Sequence, residues 1–204
     1  MYVRNWMTSP ALTVAPGVNI EEARGLMEKK KVRRLPVVQG DRLVGIVTRS
    51  DIEAQLGRAR GLTLRELYRA LDTRVEEVMT PDPVTVRPDD TFEHAAGVMR
   101  EKRVSGLPVV DAGKVVGVIT ETDMFRAITE MLGLDEEGER LVVPVTSPEG
   151  LLEALKRFSK GLGVRSLVTY HDPQTRRWIA VVRVFGRPTA NRKRSRRPAA
   201  VSRK

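Results

Sequence analysis

Apolar and polar residues alternate with a changing period along the first 58 positions. Thr13-Val14-Ala15 is a short β-branched run ended by Pro16, and Asn19 then stands in a helix N-cap position. Ile20, Ala23 and Met27 follow at helical spacing and predict one apolar helix face. Two apolar runs come next, Leu35-Pro36-Val37-Val38 and Leu43-Val44-Gly45-Ile46-Val47, on either side of Gln39-Gly40-Asp41-Arg42, which has the composition of a hairpin turn. A short helix from Thr48 to Leu56 closes the unit, so the predicted order is strand, helix, hairpin, helix.

The same order returns seventy-two residues later without a gap. Thr85-Val86 ends at Pro88, Thr91 takes the N-cap place, and Phe92, Ala95 and Met99 repeat the helical face. Leu107-Pro108-Val109-Val110 and Gly117-Val118-Ile119 flank Asp111-Ala112-Gly113-Lys114, and Thr120 to Ile128 closes the copy. From Met7 to Asp51, 19 of 45 paired positions are identical, where average composition gives roughly three. The recurring set includes Gly, Pro, Thr and Asp at turn positions, which predicts a paired ligand site as well as a paired fold.

Between the copies, Leu62, Leu64, Leu67, Tyr68 and Leu71 suggest a connecting helix. The acidic stretch Gly133 to Glu139 has no apolar period and is expected to mark a domain boundary. Leu141-Val142-Val143-Pro144-Val145 then reads as an edge strand carrying a proline. Ser147, Pro148 and Glu149 mark a helix start, with Leu151, Leu152, Leu155 and Phe158 as its apolar face. Val164 to Tyr170 and Trp178 to Phe185 read as two further strands. The expected class is α/β of the α+β kind, with repeats at 1–57 and 75–132, a connecting helix at 58–74, a βαββ unit at 139–186 and a disordered basic tail at 187–204.

The net charge of +10 changes this picture only at the tail. Eight cations and no acid follow Gly186, and without them the first 186 residues carry +2. A tail containing Arg192, Lys193, Arg194, Arg196 and Arg197 without aromatic residues suits salt-sensitive, sequence-tolerant contact with nucleic acid. With no cysteine, a disulfide or thiolate ligand is excluded. No apolar run has the length of a membrane span and Met1 to Trp6 has no signal-peptide character, so a cytoplasmic protein without membrane partners is expected.

At this point the chain resembles the tandem CBS (cystathionine-β-synthase) domain family: both copies carry the proline-ended first strand, the Leu-Pro-Val-Val segment and the Gly-x-x-Thr-x-x-Asp close. The whole arrangement is similar to the acetoin-utilisation AcuB group, which joins CBS repeats to an ACT domain. Thr146 to Leu155 resembles the ACT turn with one residue added, although a basic tail stands where that domain's final helix and strand would follow. The resemblance implies two repeats packed as a pseudo-twofold pair, a regulatory role, dimerisation, and AMP, ADP, ATP or S-adenosylmethionine as a regulatory ligand, with no obligatory cofactor.

Carried to this sequence, the resemblance assigns Asp51 and Asp123 to ribose hydroxyls. Thr48 and Thr120, where a strand passes into a helix, suit a phosphate. Val14, Val32, Val86 and Val104 would cover adenine, within ligand-binding segments that include Thr13, Pro36, Thr85 and Pro108. The alternative without a ligand is that each Thr caps its helix and each Asp complements the helix dipole.

The copies differ in charge. Arg33, Arg34 and Arg49 correspond to Ser105, Gly106 and Glu121. This predicts unequal sites, the first taking phosphorylated adenosine, unless Arg33 or Arg34 reaches across to the other ligand. His94 and His171 stand alone, Asp89-Asp90 precedes a helix, and Asp135-Glu136-Glu137 reads as a solvated loop, so no metal site is expected. No catalytic motif is present, which favours a ligand sensor acting on its C-terminal unit or another protein over an enzyme. The competing reading is a dimerisation scaffold that presents the tail to nucleic acid.

Overall fold

The computed structural model describes residues 1–58, 63, 70–145, 150–151 and 163–185, and the chain forms two compact units, Met1–Arg126 and Ala127–Lys204. The expected connecting-helix positions Leu62, Leu64, Leu67 and Tyr68, the helix start Ser147 to Glu149 with Leu152, Leu155 and Phe158, and the basic tail lie outside the described residues. The fold is mixed α+β, as expected.

In the first unit, helix α1 spans Ile20–Lys30. The Asn19 side chain accepts from the Glu22 N–H at 2.8 Å, and Glu21 and Glu22 occupy the positive end. Lys31 ends the helix in the left-handed region, with φ 54°. The buried residues are Ile20, Ala23 and Met27, the face that the spacing predicts. Strands β1 (Arg34–Gln39) and β2 (Arg42–Thr48) form a hairpin through Gly40 at φ +62°, and α2 spans Arg49–Arg58.

The second copy repeats these elements. After the short helix α3 (Val75–Val78) and the two-residue strand β3 (Thr80–Pro81) come α4 (Phe92–Lys102), β4 (Gly106–Asp111), β5 (Lys114–Thr120) and α5 (Glu121–Met131). The sheet runs β1-β2-β5-β4, with β3 beside β2. Pro36 and Pro108 therefore sit in its outer strands, where a missing N–H is tolerated.

The expected first strands are shorter than predicted. Val14 makes one parallel bridge to Val37, and Val86 one to Val109. Pro16 and Pro88 lack the N–H that would lengthen the ladder.

The two copies exchange their leading segments. Thr8 bridges Val118 of the second copy, while Thr80 pairs with Ile46 of the first. The Phe92 N–H donates to the Met1 carbonyl at 3.1 Å, and the Ile20 N–H to the Thr73 carbonyl at 2.9 Å. Each long helix thus has an otherwise orphan N-terminal donor satisfied by the other copy's lead. Val75 belongs to the first copy's core, together with Ile20, Met27, Leu35, Val37, Val47 and Ile52. These reciprocal contacts give the pair its approximate twofold symmetry.

The crossing explains a glycine repeated in both copies. A Cβ on Gly117 would stand 2.9 Å from the Thr8 carbonyl oxygen and 2.7 Å from Met7 Sδ; on Gly45 it would stand 3.1 Å from the Thr80 carbonyl oxygen. Because backbone must yield at Gly117, Gly117→Ala is expected to cost about 1–3 kcal/mol. Urea denaturation checks this, and an unchanged midpoint contradicts it.

The second unit contains β6 (Glu139–Val145), β7 (Gly163–Asp172) and β8 (Arg177–Phe185) in the antiparallel order β6-β8-β7. Pro144 lies in an edge strand, opposite Ile179. Ala180, Val182 and Val184 on alternate positions of β8 form a small core with Val145, against which Leu151 and Trp178 pack. At the β7–β8 turn Asp172 accepts from the Gln174 N–H and the Thr175 hydroxyl, which hold its carboxyl below the usual range, Thr175 most strongly. The acidic stretch Gly133 to Glu139 lies inside this unit. Among the described residues, no helix is long and apolar enough to cross a membrane.

Candidate functional site

Each Gly-x-x-Thr-x-x-Asp segment ends a strand and opens a helix. In the first copy Asp51 Oδ2 accepts from the Thr48 N–H at 2.8 Å and from its hydroxyl at 2.7 Å. In the second, Asp123 Oδ2 accepts from the Thr120 N–H at 2.9 Å and from its hydroxyl at 2.7 Å. One oxygen of each carboxylate is therefore committed to fixing the strand-to-helix corner. Both aspartates serve as caps, and each retains a second oxygen.

The two second oxygens differ. Asp123 Oδ1 accepts from Arg126 Nη2 at 3.1 Å, and that guanidinium also donates to the Trp6 carbonyl. Among the described residues Asp123 is the only buried charged side chain, at 7% exposure, whereas Asp51 is half-buried. A buried carboxylate is costly without hydrogen bonds and a counter-charge, and Thr120 and Arg126 supply both. Beyond its bond from Arg126, Asp123 Oδ1 has acceptor capacity for a further hydroxyl.

Asp123 lines a cleft of about 270 Å³ whose walls come from both copies. The second copy supplies Val118, Thr120, Thr122 and Asp123. Thr8, Pro10, Ala11, Leu12 and the segment Lys31 to Arg34 come from the first copy and its leading segment, with Thr8 paired to Val118. The apolar lining residues Pro10, Ala11, Leu12, Val32 and Val118 suit a planar base, the carboxylate suits sugar hydroxyls, and the guanidiniums suit phosphate.

Arg33 and Arg34 thus share a cleft with Asp123 of the other repeat. The sequence groups them with Asp51 and leaves reach across the pair as the alternative; the structure places both arginines in the lining of the Asp123 cleft. Arg34 Nη2 donates to Ser105 Oγ at 2.8 Å. Burial and then neighbouring Arg33 lower the Arg34 pKa, while Glu121 and Asp123 act in the opposite direction. An arginine remains charged at neutral pH under such influences, so the cleft keeps a fixed cation.

Gly106 makes room for that crossing. A Cβ there would lie 2.1 Å from Arg34 Nη1, the flexible end of the side chain. The Ile119 carbonyl oxygen would stand 3.1 Å from the same Cβ, so Gly106→Ala is expected to displace the guanidinium, to cost some stability through that backbone contact, and to weaken binding of a phosphorylated ligand about threefold to tenfold. Titration calorimetry reads the change, and undiminished affinity contradicts it.

Of the other sequence-derived positions, Val32 lines the cleft, while Val14, Val86, Pro36 and Pro108 are buried, Val14 within the first copy's core. Thr13 is half-buried and Thr85 exposed at the Val14 and Val86 bridges, Val104 is half-buried, and Thr48 stands on Asp51. The tail positions Arg192, Lys193, Arg194, Arg196 and Arg197 lie outside the described residues. Sequence reasoning passed over Thr8, Pro10, Ala11, Leu12, Lys31, Val118 and Thr122. Thr8 carried a usable signal, since Met-Thr recurs at Met79-Thr80 with no helical or turn role to account for it. Among the described residues, no group of three or more His, Asp or Glu is placed to hold a metal.

The profile of the CBS domain matches residues 3–57 and 75–130. Homoserine O-acetyltransferase of Methanohalobium evestigatum is 37% identical over 131 residues, 63% of this chain and 24% of that protein. Inosine-5'-monophosphate dehydrogenase of Korarchaeum cryptofilum is 36% identical over 140 residues, 67% of this chain and 26% of that protein. The chain thus spans about a quarter of the length of these two enzymes.

Three solved structures are similar to the CBS pair. The CBS domain pair of protein MJ0100, in complex with 5'-methylthioadenosine and S-adenosyl-L-methionine, is 30% identical at a TM-score of 0.56, covering 64% of this chain and 97% of that one. CBSX2 of Arabidopsis thaliana in complex with AMP is 33% identical at a TM-score of 0.54, covering 63% and 96%. A putative acetoin utilization protein (AcuB) from Vibrio cholerae is 29% identical at 0.57, covering 68% and 98%.

Proposed function

The chain belongs to the CBS domain family, and on that premise we propose that it is a regulatory sensor of an adenine nucleotide or adenosyl compound, bound in the cleft of its CBS pair. The observation that carries this reading is the cross-repeat meeting of Asp123 with Arg33 and Arg34 in one cleft of mixed polarity. Relatives crystallised with AMP, 5'-methylthioadenosine and S-adenosyl-L-methionine support the ligand class.

In this reading adenine lies against Val32, Leu12 and Val118, the ribose hydroxyls donate to Asp123 Oδ1, and the phosphate takes Arg33 and Arg34. The sites are unequal: the Asp123 cleft takes phosphorylated adenosine, while the Asp51 site, whose counterpart positions are Ser105 and Gly106, takes an uncharged or cationic adenosyl ligand or none. Thr13, Val14, Pro36, Thr85, Val86, Val104 and Pro108 act through the backbone that shapes these walls. Binding alters the packing of the two copies and is transmitted to the C-terminal unit or to a protein partner, in a homodimer.

Calorimetric titration of AMP, ADP, ATP and S-adenosylmethionine into the full chain tests the reading. Saturable binding of at least one is expected, and the absence of binding by all four overturns it.

A further inference from the structure

Beside the cleft lies a second pocket of about 300 Å³, lined by Arg24, Met27, Glu28, Lys31, Val32, Arg33 and Arg49. Four cations face one carboxylate. Lys31, Val32 and Arg33 line both this pocket and the Asp123 cleft, so the two are contiguous along that segment. Two local features hold the arrangement. Lys31 turns the chain out of α1 in the left-handed conformation, and the Arg49 N–H at the start of α2 donates to the Arg33 carbonyl at 2.9 Å.

We propose that this pocket is an anion subsite that takes the terminal phosphates of a nucleoside polyphosphate whose nucleoside occupies the Asp123 cleft. The inference rests on the nucleotide reading of that cleft and adds the ligand's phosphate chain length to it. Arg33 stands at the junction, with Arg24 and Arg49 beyond it. Both of these are held on their helices by i,i+4 carboxylates, Arg24 by Glu28 at 3.8 Å and Arg49 by Glu53 at 2.6 Å. Such exposed pairs contribute little to stability, so a multiply charged phosphate can replace or share the carboxylate at small cost. The duplication supplies an internal comparison: Arg24, Arg33 and Arg49 correspond to Ala96, Ser105 and Glu121. The second copy lacks three of the four cations and places a carboxylate where Arg49 stands.

The test compares AMP, ATP and inorganic tripolyphosphate by calorimetry on the full chain and on an Arg24→Ala, Arg49→Glu double variant. The expected result is an approximately tenfold loss of ATP affinity with AMP affinity unchanged within about twofold. Tripolyphosphate binding is expected to weaken in parallel with ATP. Equal loss for AMP and ATP, or tripolyphosphate binding unaffected by the double substitution, overturns the subsite. Tripolyphosphate binding that is lost in the variant, in a protein that binds neither nucleotide, retains the anion pocket and overturns the nucleotide reading of the cleft.

Discussion

Asp123→Ala is expected to weaken AMP binding by about 10- to 100-fold, the largest single loss in the cleft. A carboxylate that accepts a ribose hydroxyl makes a charge-assisted bond worth about 1.5–3 kcal/mol, and tenfold in affinity corresponds to about 1.4 kcal/mol. Asp123 is buried, so water replaces the lost acceptor poorly. The substitution also deprives the Thr120 N–H and hydroxyl of their acceptor and removes the carboxylate from beside Arg126. Losing that cap costs about 1–2 kcal/mol of stability. Calorimetry on protein shown to be folded by urea denaturation separates the two effects. Asp51→Ala removes the equivalent cap and is expected to lose comparable stability with little loss of AMP affinity; equal affinity losses in the two variants contradict the unequal sites.

The second large effect is expected at Arg34. Arg34→Ala should weaken AMP by about tenfold or more while leaving 5'-methylthioadenosine within about twofold, because only the former carries the phosphate that the guanidinium meets. The side chain is held ready for this role by Ser105 Oγ and by the space above Gly106. Fixed placement lowers the ordering cost that a free arginine would incur on binding. Arg34→Lys keeps the charge and loses the planar fork, and should give an intermediate affinity. Parallel losses for both ligands would show that Arg34 supports the fold of the cleft rather than a phosphate.

Much of this architecture was legible in the residues. Asn19 and Thr91 as caps, and the apolar positions Ile20, Ala23, Met27 and Phe92, Ala95, Met99, locate α1 and α4 because local spacing and capping decide a helix. Gly40 and Gly113 mark the hairpins because their positive φ is demanded by the turn. The crossing of the leading segments was not legible. Met7-Thr8 and Met79-Thr80 are identical, as are the glycines they approach, Gly45 and Gly117, so the sequence is equally consistent with each lead docking on its own copy or on the other. That same degeneracy left open whether Arg34 shares a cleft with Asp51 or with Asp123. Aspartate and threonine were identified as a pair by spacing, yet spacing alone does not show that the cap consumes Oδ2 and leaves Oδ1.

The cross-repeat site is tested most directly by a crystal structure of the full chain grown with AMP. The account predicts one nucleotide with its ribose hydroxyls on Asp123 Oδ1 and its phosphate on Arg33 and Arg34, bridging the two copies. A nucleotide with its ribose on Asp51 and its phosphate on Arg33 or Arg34, leaving the Asp123 cleft empty, would contradict it.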